Sequence, residues 1–172
     1  VYKRQGVWCY DRDILTIAAE RIGNEELTED TINDLNYKRN DVASAGITGV
    51  MGMGNIPIYN QMFLEQAKII RKLANYGSAV FLGRCADYIL KDIKNCTSVY
   101  LYADREFRKN RVKEIYGSNA EIMDKEEKNR ADYYNYYTGN RWGDINNYDF
   151  AINTSKVSFE EAADLIYRFA KD

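Results

Sequence analysis

The sequence predicts an α/β fold in which short parallel strands alternate with helices. Residues 79–82 and 98–102 form nearly apolar runs, the pattern of strands covered on both faces, and a helical pattern follows each of them. A third run of this kind, 150–153, precedes the last helical pattern. Strands that alternate with helices are typical of layered folds with right-handed crossovers.

The amino-acid composition limits the kinds of catalytic site that the protein can form. The 172 residues are 45% hydrophobic, which suits one compact domain. The charges of the 24 basic and 26 acidic side chains nearly cancel. The protein therefore has no large uniform electrostatic field that would indicate nucleic acid or a membrane surface as its main partner. The absence of histidine excludes Ser-His-Asp and Cys-His nucleophilic sites and histidine zinc sites. Phosphoryl transfer, which relies on Arg, Asp, backbone amides and a metal ion, stays open.

The three cysteines are Cys9, Cys85 and Cys96, an odd number at wide spacing that predicts neither a disulfide framework nor a metal knuckle. We therefore expect a reducing, cytoplasmic setting. No apolar run approaches the length of a membrane span, and no signal-peptide pattern opens the chain.

The first elements begin close to the start of the chain. Residues 1–5 show no strand or helix pattern and are interpreted as a non-native or disordered tail, so that a single domain covers 6–172. Residues 7–10 predict a short buried strand. Asp11 is expected to cap a helix over 12–22, which Gly23 ends.

The next segments are a charged helix, a loop and an amphipathic helix. Residues 28–38 predict the charged helix, and the glycine-rich residues 43–57 predict a flexible loop. This loop matches neither the phosphate-loop motif nor the dinucleotide-binding motif. Residues 58–75 predict a helix that buries four positions, with Gly77 after its end; the buried positions are Phe63, Ala67, Ile70 and either Leu73 or Ala74.

The second half of the chain is dominated by helices. A short helix is expected through Ile89 and Leu90, followed by helices over 104–116 and 119–137. A loop precedes the strand at 150–153. The last helix is predicted to start with a capping box, in which Ser158 and Glu161 satisfy each other's backbone donors.

Ligands of open α/β sheets bind at the carboxyl ends of the strands, so the residues there are the first candidates for a site. These are Asp11, Gly83-Arg84 with Asp87, Asp104-Arg105, and Thr154-Ser155-Lys156. Gly83 permits close approach, Arg84 suits a phosphate or a base edge, and Asp87 can accept from an amine or a hydroxyl. A structural ion pair between Arg84 and Asp87 is the alternative.

Basic side chains form a second group of candidates, comprising Arg108, Arg111, Lys125, Lys128, Arg130 and Arg141. A solvated charged face would explain them, and so would a lid that neutralises transferring phosphate oxygens.

The nearby aromatic run YYNYY at 133–137, followed by Arg141-Trp142, has two explanations. It could pack a helix onto the body of the protein, or it could stack the bases of a single-stranded nucleic acid.

Four stretches resemble the cytidylate kinase-like family of P-loop nucleoside monophosphate kinases. They are YDRDIL at 10–15, FLEQAKIIRKLANYGSAVFLGRCADYIL at 63–90, YADREFRKNRV at 102–112 and NRADYYNYYTGNRWGDINNYDFAINTSK at 129–156. The resemblance implies a three-layer parallel sheet flanked by helices, an acceptor-side region at about 11–76 and a helical lid at about 118–146. It also implies transfer of the γ-phosphate of ATP, with Mg²⁺, to a nucleoside monophosphate such as CMP or dCMP.

The same resemblance implies roles for individual residues. Asp11, Gly83, Arg84 and Asp87 would bind the acceptor nucleotide, and Arg108 would contact ATP. Arg130 and, with a weaker match, Arg141 would contact the transferring phosphates. Glu127 stands where an Asp is expected, and Cys85 carries no catalytic implication.

One departure from the family concerns its first strand and phosphate loop, which do not precede Gly6 in this sequence. They carry the lysine and the hydroxyl ligand of Mg²⁺ in such kinases. The sequence therefore predicts an N-terminally truncated and inactive form of a kinase. A non-catalytic nucleotide-binding or regulatory protein is the alternative function, and single-strand binding is a third.

Overall fold

The computed structural model describes residues 6–23, 57–117 and 120–171. The predicted tail 1–5, the predicted helix 28–38 and nearly all of the glycine-rich segment 43–57 lie outside the described residues.

Strands and helices alternate along the described chain, as predicted. The elements are β1 (Trp8–Tyr10), α1 (Asp13–Ile22), α2 (Ile58–Tyr76), β2 (Ala79–Phe81), α3 (Ala86–Ile89), β3 (Val99–Tyr102), α4 (Arg105–Tyr116), α5 (Ala120–Thr138), a 3-10 turn (Ile145–Asn147), β4 (Phe150–Asn153) and α6 (Phe159–Lys171). Within the described residues none of the helices is both long and apolar enough to cross a membrane.

The strands pair in parallel, which confirms the mixed α/β class. β1 pairs with β2, with Cys9 opposite Val80, and β3 pairs with β4, with Tyr100 opposite Ala151. Among the described residues these pairs form two separate two-stranded sheets. The carboxyl ends of both strands in a pair therefore lie side by side, where α/β folds bind ligands.

The first helix lies within one residue of its predicted position. It begins at Asp13, and the residue directly before it is Arg12 and not Asp11; Arg12 has a helical backbone and makes no side-chain capping hydrogen bond. The prediction of a buried first strand was wrong, because Trp8 is 75% exposed. Gly23 ends α1 as predicted, with a left-handed φ of 63°.

The main core lies between α1 and α2. Ile14 and Leu15 of α1 pack in one buried cluster with Met62, Ile69 and Ile70 of α2. Ile70 is buried as predicted, whereas Phe63, Ala67, Leu73 and Ala74 are only partly buried and pack at the edge of this cluster. The buried face of α2 includes Met62, whereas Phe63 lies on the neighbouring face, where its ring stacks on that of Tyr137 of α5 with centroids 4.1 Å apart.

The ends of β3 and β4 are tied together by polar side chains. Asp149 accepts hydrogen bonds from the amide and the hydroxyl of Ser98 at the start of the strands, at 2.7 and 2.8 Å. At their carboxyl ends the Asp104 amide donates to the Ser155 hydroxyl at 2.6 Å. Asp104 and Ser155, two of the candidate residues at strand ends, are therefore hydrogen-bonded to each other.

The predicted capping box of α6 is confirmed. The Ser158 amide donates to the Glu161 carboxylate at 2.9 Å, and the Glu161 amide donates to the Ser158 hydroxyl at 3.2 Å.

Truncation of a core side chain of α2 tests this packing. We expect Ile70→Ala to lower the free energy of unfolding by about 3 kcal/mol, because Ile70 is fully buried and its removal leaves a cavity. Leu64→Ala, on the same helix but 47% exposed, should cost less than about 1 kcal/mol. Urea denaturation of both variants measures the difference, and equal losses would contradict the assigned core.

Candidate functional site

The turn that follows β2 has an unusual backbone. Gly83, Arg84 and Cys85 all have left-handed conformations, with φ of 67°, 59° and 55°. Such a conformation costs a residue other than glycine about 1–2 kcal/mol, so the surrounding packing must hold Arg84 and Cys85 in place. The turn closes through a bond from the Ala86 amide to the Gly83 carbonyl at 3.0 Å, and α3 begins there.

This turn lies beside Asp11 at the carboxyl edge of the first sheet. The Leu82 amide donates to the Tyr10 carbonyl at 2.9 Å, which extends the pairing of β1 and β2 by one residue. The structure therefore brings Asp11, Gly83, Arg84 and Asp87 to one edge. Their roles toward an acceptor nucleotide stay predictions.

Arg84 lies within the core and not at its rim. It is 2% exposed, and its positive charge acts on Cys85 and Tyr133. Burial raises the pKa of both the Cys85 thiol and the Tyr133 hydroxyl, and the charge of Arg84 acts in the opposite direction on each. A thiol whose pKa is raised by burial is a weak nucleophile at neutral pH.

Asp87 is half-buried and bonded to the long helix. The Tyr134 hydroxyl of α5 donates to Asp87 Oδ2 at 2.6 Å. Burial raises the pKa of Asp87, while the hydrogen bonds from Tyr134 and from the backbone oppose this rise because they stabilise the carboxylate. Asp87 is therefore anchored to α5.

Three tyrosines continue this contact away from Asp87. Tyr148 contributes to the raised pKa of the Tyr134 hydroxyl, and the ring of Tyr148 stacks on Tyr100 of β3 with centroids 4.9 Å apart. Burial raises the pKa of Tyr100, and the negative charge of Glu127 raises it further while Arg108 opposes the rise. The three rings thus extend from Asp87 to the pair Arg108–Glu127.

Two ion pairs hold α4 against α5. Arg108 binds Glu127, and Arg105 binds Asp124 at 2.5 Å. Arg108 also lines an apolar pocket of about 400 Å³ at the carboxyl ends of β3 and β4, together with Phe107, Arg111 and Phe159. The residue expected to contact ATP therefore borders a pocket, and the unexpected Glu127 is its partner.

Arg130 and Arg141 are both exposed but lie in different places. Arg130 is three residues after Glu127 and four before Tyr134 on α5, so all three lie on one face of the helix. Arg141 lies beyond the end of α5, where it lines an open depression with Trp142 and Asp144. Arg130 therefore lies on the face of α5 that contacts Arg108 and Asp87, whereas Arg141 lies apart from this face.

The aromatic run is mainly a packing element, which confirms one of the two interpretations. Tyr133 and Tyr134 are each 5% exposed, and Tyr137 donates to Asn60 at 3.2 Å. Sequence reasoning missed the contribution of the Tyr134 hydroxyl, which donates to Asp87. The four-residue interval from Arg130 to Tyr134 was the available signal, because it places both residues on one helix face.

No group of three or more His, Cys, Asp or Glu side chains that could hold a metal ion occurs in the described parts of the chain.

Two comparisons relate the chain to known proteins. Residues 1–156 match the model of the cytidylate kinase-like family. The fold is similar to the crystal structure of an uncharacterized protein from Eubacterium ventriosum ATCC 27560, with a TM-score of 0.68 and 25% sequence identity over 99% of this chain and 86% of the other. No curated protein sequence matches the chain significantly.

The raised pKa of Asp87 predicts how stability depends on pH. The native protein retains this proton above the ordinary pKa of 3.8, where the unfolded chain has lost it. The stabilising contribution is therefore complete below that pKa and decreases as the pH rises through the pKa of the folded state. We expect the free energy of unfolding of the wild type to fall, relative to Asp87→Asn, as the pH increases through this window. Urea unfolding at several pH values measures it; a difference that is constant or increases would contradict the assignment.

Proposed function

Because the chain belongs to the cytidylate kinase-like family, we propose that it transfers the γ-phosphate of ATP to a nucleoside monophosphate such as CMP or dCMP. The family suggests a nucleotide kinase-like function and nucleotide substrates. The particular acceptor, the three-layer sheet and the roles of individual residues are parts of this proposal.

One face of α5 is the observation that supports this function best. At its two ends this face contacts Arg108, through Glu127, and Asp87, through Tyr134. The rise of an α-helix separates Glu127 from Tyr134 by about 10 Å along the axis. The exposed side chain of Arg130 starts between them. An arginine between a donor and an acceptor position is suited to neutralise a phosphoryl group in transfer.

Each candidate residue has a defined part in the proposed reaction. Arg108 contacts ATP at the pocket of the second sheet, and Arg130 neutralises the transferring oxygens, with Arg141 as a second cation from the loop. At the first sheet, Gly83 lets the acceptor approach the backbone. Asp87 and Asp11 accept hydrogen bonds from it, and Arg84 supplies positive charge from the core.

Mg²⁺ belongs to the proposal as the partner of ATP. Magnesium in kinases takes many of its ligands from phosphate oxygens and water, and the described residues do not provide a carboxylate cluster for it. The proposed roles of Arg108 and Arg130 depend on charge and position only, so they do not require a protein-bound metal.

The first test is a coupled assay of ADP formation by the protein with ATP, Mg²⁺ and a panel of monophosphates. We expect turnover with a pyrimidine monophosphate, and Arg130→Ala should lower kcat about 100-fold because a donor to the transition state is lost. Lys128→Ala, an exposed cation two residues earlier on the same helix, serves as the control and should have little effect. No turnover with any monophosphate, despite binding of one in calorimetry, would favour the non-catalytic alternative.

A second test separates the two arginines of α4. Arg105 and Arg108 each bind a carboxylate of α5, but only Arg108 lines the pocket. We expect Arg108→Ala to raise the KM for ATP about tenfold, because a charged hydrogen bond is lost, and Arg105→Ala to leave it nearly unchanged. Steady-state kinetics with varied ATP measures both. Equal effects of the two substitutions on the KM would mean that the ion pairs between α4 and α5, and not a contact between Arg108 and ATP, determine the KM for ATP.

A further inference from the structure

We propose that Glu127 sets the affinity for the phosphate donor, because its carboxylate binds the guanidinium of Arg108 that the phosphates of ATP would use. Glu127 then competes with ATP for Arg108 and has to release it when the triphosphate binds. This inference deepens the proposed function and rests on it for the identity of the anion. The competition itself follows from the contacts of Arg108.

Arg108 belongs to two parts of the structure at once. Its Nη1 atom donates to Glu127 Oε1 of α5, and the same side chain lines the apolar pocket at the carboxyl ends of β3 and β4. Only 31% of the arginine side chain and 32% of the glutamate side chain are exposed. Water and salt therefore screen this ion pair less than they screen a pair at the open surface.

The guanidinium of Arg108 has donors for a further partner. An arginine side chain carries five N–H donors and no acceptor. The Nε atom of Arg108 is buried and bonds no acceptor among the described residues. A buried donor without an acceptor costs free energy, so an anionic oxygen that reached this guanidinium would be stabilised.

The charge that the pocket presents depends on Glu127. The charged side chains among the residues that line the pocket are Arg108 and Arg111, and both are positive. Arg111 lies over the ring of Phe159, with its guanidinium carbon 4.3 Å from the ring centroid. Because Glu127 cancels the charge of Arg108, the pocket presents less positive charge to a polyanion than its two arginines would by themselves.

A second ion pair between α4 and α5 provides a comparison. Arg105 binds Asp124 at 2.5 Å, and both residues lie three positions before Arg108 and Glu127 on the same two helices. Neither Arg105 nor Asp124 lines the pocket. Both pairs therefore hold α4 against α5, but only one of them includes a residue of the pocket.

Calorimetric titration of the protein with ATP and Mg²⁺ tests the competition without turnover. We expect Glu127→Gln to lower the Kd for ATP about fivefold, because the amide keeps the size of the side chain but removes the charge that holds Arg108. Asp124→Asn is the matched control for a weakened contact between the helices, and it should leave the Kd nearly unchanged. Circular dichroism confirms that both variants are folded.

A double-mutant cycle shows whether Glu127 acts through Arg108. In an Arg108→Ala background, Glu127→Gln should have no effect on the Kd, because the cation for which the two anions compete is gone. An effect of equal size in both backgrounds would overturn the proposal, since Glu127 would then repel ATP directly. An unchanged or higher Kd in Glu127→Gln alone would also overturn it.

Inorganic tripolyphosphate is the second probe, because it carries the phosphates of ATP without the base and the ribose. Glu127→Gln should strengthen its binding by about the same factor as that of ATP. If the substitution strengthened the binding of ATP but not that of tripolyphosphate, competition for the phosphates would be contradicted.

The outcomes for this inference and for the proposed function are distinct. Stronger binding in Glu127→Gln that depends on Arg108, combined with no turnover of any monophosphate, would support the competition and contradict the kinase function. Turnover with a KM for ATP that Glu127→Gln leaves unchanged would support the kinase function and contradict the competition. If neither the wild type nor Glu127→Gln bound ATP or tripolyphosphate, both would be contradicted.

Discussion

The attachment of α5 to the rest of the protein is the contact on which the candidate site depends. The first half of this helix is charged, so that half does not provide an apolar face for the core. The last turns carry tyrosines, whose rings are buried against Phe63 while their hydroxyl groups meet Asp87 and Asn60. A tyrosine combines a large apolar surface with one polar tip, so this packing both stabilises the helix and orients the polar groups of the site.

The turn after β2 depends on the same packing. Two residues other than glycine, Arg84 and Cys85, adopt left-handed conformations there, and strain of this kind persists only where surrounding contacts determine the backbone. Cys85 belongs to the buried cluster that includes Tyr133 and Tyr134. The core therefore stabilises the strained turn and the position of Arg84 together. A change in the packing of α5 would alter both sides of the proposed reaction.

Much of the fold after residue 57 could be predicted from local patterns. β4 was predicted to the residue, and α2, α4 and the capping box of Ser158 with Glu161 were close to their observed positions. These features depend on apolar periodicity and on end signals that lie within a few residues of each other. The errors were Asp11 as a cap, the burial of Trp8 and the buried face of α2. The last two depend on neighbours that are distant in the sequence, whereas the cap differed by only one residue.

The candidate site, like the fold, could be predicted from the sequence only in part. The sequence by itself determined which chemistry was available, because the absence of histidine and the arginines near strand ends favour phosphoryl transfer, and it determined the family through its motifs. Only the tertiary structure decided that Arg108 pairs with Glu127, that Arg84 is enclosed, and that Tyr134 binds Asp87 while Arg141 lies apart. Residue types and spacing are local properties of the chain. A hydrogen bond between residues 47 positions apart exists only once packing has brought their two elements together.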